Sequence, residues 1–112
     1  MKTFKQTILA ASLIAGFGMA SLAPAVAGAN DPLFVNLISD EGHRAGMALT
    51  FSGRQLKLGH PLTIFLNDRA VALASKANAG KYPEQQKALA ELIAAGATII
   101  VCPMCMKHYG VA

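Results

Sequence analysis

Ala97-Thr98-Ile99-Ile100-Val101-Cys102-Pro103-Met104-Cys105-Met106-Lys107-His108-Tyr109 begins as one kind of structure and ends as another. Its first five residues are uncharged and largely β-branched, and they read as a short strand. Pro103 lacks an N–H and has a fixed φ, which suits the first residue of a helix. The chain therefore changes from strand to helix at Cys102, the junction from which α/β folds are built.

Two earlier runs match that strand. They are Leu33-Phe34-Val35-Asn36-Leu37-Ile38 and Pro61-Leu62-Thr63-Ile64-Phe65-Leu66. All three are apolar at nearly every position rather than alternating, the pattern of strands buried on both faces of a parallel sheet. Helical patterns lie between them. His43 to Leu58 puts Ala45, Ala48, Leu49, Ser52 and Leu56 on one stripe, with Gly59 as a stop. Asn67-Asp68 can cap a short helix through Ala70, Val71, Leu73 and Ala74. Pro83 opens a helix from Glu84 to Ala95 that buries Leu89, Leu92 and Ile93, and Gly96 closes it. Lys76 to Tyr82 reads as a connecting loop.

This order predicts an α/β fold with a three-layer, open, mainly parallel sheet. In such sheets the functional crevice lies at the carboxyl ends of the strands. Three turns should meet there: Ser39-Asp40-Glu41-Gly42-His43-Arg44, Asn67-Asp68-Arg69 and Cys102-Pro103-Met104-Cys105.

The N-terminus is of a different character. Lys2 and Lys5 precede an uncharged stretch from Thr7 to about Met19, and Ala25-Val26-Ala27 and Ala29 follow Pro24. A cationic start, an apolar middle and small residues before a cut form a secretory signal. Residues 1–29 are therefore expected to be a signal peptide cleaved after Ala27 or Ala29, with a periplasmic product and one domain over 30–112. Its loss lowers the formal charge from +4 to about +2, too little to suggest a nucleic-acid partner. The only membrane contact expected is through the signal itself.

Cys102 and Cys105 are the only cysteines. A bridge between them would close a tiny loop and staple nothing distant, so reactivity is the stronger reading. A thiol at a helix start faces free N–H groups that favour thiolate, and Lys107 and His108 add positive potential. Cys105, one turn on, could trap a sulfenic acid or persulfide as a disulfide. A metal alternative uses the soft ligands Cys102, Cys105, Met106 and His108 for Cu(I). A third reading is an assembly subunit whose thiols are incidental. No Gly-rich phosphate loop, Ser-His-Asp arrangement or carboxylate pair is present, and no organic cofactor is called for.

The chain from Leu33 onward resembles the DsrE/DsrF-like family of sulfur-relay proteins, in particular its small exported members. The resemblance is carried by Val35-Asn36-Leu37-Ile38-Ser39-Asp40, by Gly59-His60-Pro61 through Asn67-Asp68, and most specifically by Val101-Cys102-Pro103-Met104-Cys105 through Gly110-Val111. It implies flavodoxin-like crossovers and a sulfur carrier rather than a turnover enzyme. Cys102 matches the position that accepts sulfane sulfur as a persulfide, and Cys105 matches an additional cysteine of some members. It further implies donor and acceptor proteins or small thiols as partners, and a homo-oligomer. Family members continue past Gly-Val with a helix and a strand, so the sheet is expected to be C-terminally incomplete or completed by another subunit. His43 and Arg44 are candidates for holding an anionic sulfur group beside Cys102, against helix capping by Asp40 or Glu41 with a solvated Arg44.

Overall fold

The structure, a computed structural model, describes residues 23–112. The basic start and apolar middle of the expected signal lie outside the described residues. Residues 23–28 have no regular structure, and Ala27 and Ala29 are exposed.

Three strands form where the apolar runs predict them: β1 (Leu33–Leu37), β2 (Leu62–Leu66) and β3 (Thr98–Val101). They pair in parallel in the order β1-β2-β3, with Leu33 opposite Leu62 and Thr63 opposite Thr98. Helix α1 (Gly42–Lys57) connects β1 to β2, and α2 (Pro83–Ala94) leads into β3. A 3-10 segment, Asp68–Ala74, follows β2, and a shorter one, Lys76–Asn78, falls within the expected loop. The last helix, α3, spans Pro103–Tyr109. The mixed α/β class with an open parallel sheet is therefore the one the sequence predicts.

The helix starts and stops follow the local chemistry. Glu41, rather than a Ser or Asp, caps α1: its carboxylate accepts from the N–H groups of His43 and Arg44, both at 2.9 Å. Those bonds to otherwise unpaired amides hold its carboxyl below the usual range. Beyond α2, Gly96 takes φ +100, a conformation that glycine adopts without a Cβ clash, and this turns the chain into β3.

One cluster forms the core. Leu37, Leu62, Ile64 and Leu66 face Ala45 and Leu49 of α1, Leu89 and Leu92 of α2, and Ala70 and Leu73 of the 3-10 segment. Gly53 lets α1 approach α2 closely, since a Cβ there would sit 3.3 Å from Leu92 Cδ2. The α1 stripe matches expectation, with Ala45, Leu49 and Ser52 buried and Ala48 and Leu56 packed against them.

Burial on both sheet faces does not hold. Leu33, Val35, Leu37, Leu62, Ile64, Leu66, Ile99 and Val101 face the core. The alternate residues Phe34 (61% exposed) and Ile100 (44%) lie on the other face, among the described residues open to solvent. Phe34 and Phe65 are neighbours on that face, with ring centroids 6.3 Å apart. Strand order equal to chain order is the cause: crossovers running in one direction with one hand stack on one side. Ile93, expected inside, is also 55% exposed, because α2 buries the narrower Leu89–Leu92 stripe.

Candidate functional site: a paired-thiol turn at the sheet edge

The carboxyl ends of β2 and β3 bring two turns into contact. The Cys102 N–H donates to Leu66 O at 3.0 Å, so the ladder carries the first cysteine to the tip of β2. Cys102 then caps α3 in extended backbone, φ −69 and ψ 111. Its Sγ accepts from the Cys105 N–H at 3.3 Å, in the place a Ser or Asp oxygen takes at an ordinary helix start. One turn of helix also returns the Cys105 thiol to it, donating to Cys102 Sγ at 2.7 Å. Both cysteines are free thiols and half-buried.

The two sulfurs are thereby made unequal. Donation from the Cys105 thiol, with the Cys105 and Met104 N–H groups, lowers the Cys102 pKa from the ordinary thiol range. The same S–H···S bond raises Cys105, and loss of solvent acts in the same direction. A thiolate is the nucleophilic form of a cysteine, and the arrangement favours it at Cys102, with Cys105 the proton-bearing neighbour. The sequence predicts this direction for Cys102. Its cause, however, is chiefly the Cys105 thiol, while Lys107 and His108 lie exposed in the last turn of α3.

The second turn holds Cys105. Asn67 Oδ1 accepts from the Cys105 thiol at 3.1 Å and from the Asp68 N–H at 2.8 Å. The Asp68 N–H also points at Cys105 Sγ, 3.3 Å away. Asp68 has φ 48, the single positive φ outside glycine among the described residues. Left-handed backbone costs most residues free energy and is tolerated best by Asn and Asp. The residue with this backbone therefore sits beside the Cys105 thiol. Its carboxylate accepts from the Tyr109 hydroxyl, which raises the Tyr109 pKa, and the Arg69 guanidinium lies 5.5 Å from the Tyr109 ring centroid.

The sequence reads Asn67 and Asp68 as caps. Asn67 does cap the 3-10 segment, but it also contacts a thiol 38 residues away. The available signal was topological: both turns follow neighbouring parallel strands. Tyr82, at the end of the expected connecting loop, is 5% exposed, and its hydroxyl donates to Asp40 at 2.6 Å.

His43 and Arg44 lie in the first turn of α1 with exposed side chains, and the hydrogen bonds of the cysteine pair run to the β2 turn. Of the Cu(I) alternative, Cys102 and Cys105 are in contact, Met106 is half-buried, and the His108 ring packs edge-on against Tyr109, centroids 4.7 Å apart. Among the described residues, no group of three or more His, Cys, Asp or Glu is disposed to hold a metal.

The chain is thus an α/β protein with an asymmetric thiol pair at the carboxyl edge of a parallel sheet. Residues 31–112 match the DsrE/DsrF-like family, and the chain belongs to it. Membership supports a role related to sulfur relay. Comparison with curated proteins and with solved structures gave no match.

Proposed function

We propose that the chain is an exported, periplasmic sulfur carrier that holds sulfane sulfur as a persulfide on Cys102. The observation that carries this reading is the inequality of the two sulfurs: Cys102 Sγ receives the Cys105 thiol at 2.7 Å and is shifted toward thiolate. In loading, the Cys102 thiolate attacks the outer sulfur of a donor R–S–SH. A Cys102–S bond forms, the donor S–S bond breaks, and R–S⁻ leaves. In delivery, an acceptor thiolate attacks the outer sulfur of Cys102–S–SH and regenerates the Cys102 thiolate. Both steps are redox-neutral. Cys105 supplies a third outcome: its sulfur attacks Cys102 Sγ, the Cys102–Cys105 disulfide forms, and its proton leaves with the outer sulfur as hydrogen sulfide.

Export is supported by the cationic and apolar pattern of residues 1–29, and the small residues Ala27 and Ala29 lie on exposed, irregular chain accessible to a peptidase. The experiment is intact-mass analysis of the mature protein after treatment with a persulfide donor. Wild type should gain one sulfur atom, and Cys102→Ser should gain none. Equal gain in both would overturn the assignment to Cys102.

A further inference from the structure

The Cys105 thiol has one hydrogen and two acceptors in reach, Cys102 Sγ at 2.7 Å and Asn67 Oδ1 at 3.1 Å. That hydrogen points along one of the two lines at a time. In the free pair the thiolate character of Cys102 makes its sulfur the stronger acceptor. A sulfur atom joined to Cys102 removes the negative charge from Sγ and leaves a weak acceptor. The hydrogen then turns to Asn67, whose oxygen is unaltered by the load.

Asn67 is held ready to receive it. Its N–H donates to Leu37 O at 2.9 Å and its carbonyl accepts from the Ala70 N–H at 3.0 Å, so β1 and the 3-10 segment fix its backbone. The Asp68 N–H donates to the same Oδ1 at 2.8 Å, which sets the amide with its oxygen, rather than its nitrogen, toward Cys105. Asn67 and Cys105 are both half-buried, which limits competition from water. The other titratable groups around Cys105 are Cys102 and Asp68, with Tyr109 bonded to the Asp68 carboxylate and Arg69 over the Tyr109 ring. Lys107 and His108 lie exposed in the last turn of α3.

We propose that Asn67 is a positioning residue that holds the proton on Cys105 once Cys102 is loaded, and so sets how long the load survives. The inference rests on the carrier reading above. In discharge Cys105 loses its proton and its sulfur attacks Cys102 Sγ. The Cys102–Cys105 bond forms, the bond from Sγ to the outer sulfur breaks, and the outer sulfur leaves with the proton as hydrogen sulfide. The Cys105 sulfur is oxidised and the outer sulfur reduced, so no external oxidant enters. A thiol is a far poorer nucleophile than its thiolate, and a proton kept on Cys105 therefore delays the discharge.

The first measurement needs no sulfur donor. It is the pH profile of Cys105 alkylation by iodoacetamide in a Cys102→Ser background, which keeps an oxygen cap on α3. Asn67→Ala removes the acceptor and leaves the Asp68 N–H to the sulfur alone; both changes favour thiolate, and the profile should move about one pH unit lower. Asn67→Asp keeps the cap and adds a charged acceptor, so the profile should move higher, a test that holds even where the alanine variant does not fold. A loosened turn would move both variants the same way. Unmoved profiles, or shifts of one sign, would overturn the assignment to Asn67. The second measurement is sulfide release from the persulfidated protein with Cys102 intact, without oxygen. A fall of about one unit raises the thiolate fraction about tenfold and lowers its nucleophilicity about threefold, so Asn67→Ala should discharge about threefold faster than wild type. Asn67→Asp should discharge more slowly, and Cys105→Ser should form no internal disulfide. Equal rates in wild type and both Asn67 variants would overturn the control of lifetime. No sulfur uptake by wild type, with alkylation profiles moved in opposite directions, would overturn the carrier reading and leave the hold of Asn67 on the Cys105 proton standing.

Discussion

Replacing Tyr82 by Phe removes one oxygen and tests how the two sides of the sheet edge are joined. The Tyr82 hydroxyl donates to the Asp40 carboxylate at 2.6 Å, within the range of a charge-assisted O–H···O⁻ bond. The bond ties the turn after β1 to the start of α2, across 42 residues. Hydrogen bonds to charged groups contribute about 1.5–3 kcal/mol. Asp40 is half-buried, so its carboxylate is partly rehydrated once the donor is gone, and the lower end of the range applies. The ring itself, 5% exposed, keeps its packing in the variant. We expect a loss of about 1.5 kcal/mol, read by urea unfolding as a midpoint about 1 M lower with an unchanged slope. In the cycle with Asp40→Ala, the coupling should be at least about 1 kcal/mol. A loss under about 0.5 kcal/mol, or no coupling with Asp40, would refute the claim that this bond joins the two segments.

Cys105→Ala should raise the Cys102 pKa, because the first cause of its lowering is the Cys105 thiol; the pH profile of iodoacetamide alkylation would move to higher pH, and an unmoved profile would reassign the effect to the backbone. At Asp68, Gly and Ala both lose the Tyr109 bond, but only Ala is strained at φ 48, so Asp68→Ala should unfold about 1 kcal/mol more easily than Asp68→Gly. Glu41 has a lowered folded pKa, so its contribution is present above its unfolded value and is lost as pH falls through the folded one. Glu41→Gln should flatten the acid limb of the stability–pH curve, and an unchanged limb would show that the cap is not felt.

Much of the fold was legible because it is written locally. The strands at Leu33, Leu62 and Thr98, the glycine stops and the proline at the start of α3 each follow from a few neighbouring residues. The direction of the Cys102 shift was also legible from the helix start, but its chief cause, the Cys105 thiol, and the raised Cys105 were not. What else escaped notice depends on residues distant in sequence. The contact between Asn67 and Cys105 exists only because β2 and β3 are neighbours. The open face escaped for another reason. Phe34 and Ile100 are as apolar as Val35 and Ile99, and composition alone does not say which side the helices take.

The order β1-β2-β3 has a consequence for how activity arises. Each parallel pair closes over a single crossover, and β3, which delivers Cys102, comes last of the three in sequence. Until it docks on β2, Cys105 lacks Asn67 and the Asp68 amide, and no ladder bond to Leu66 fixes Cys102. A seven-residue helix is marginal in water by itself, so in a partly folded chain the turn that brings Cys105 to Cys102 is not held. The distinctive thiol is therefore a mark of maturation, acquired when that strand seats, and its alkylation rate can serve as a clock for that event.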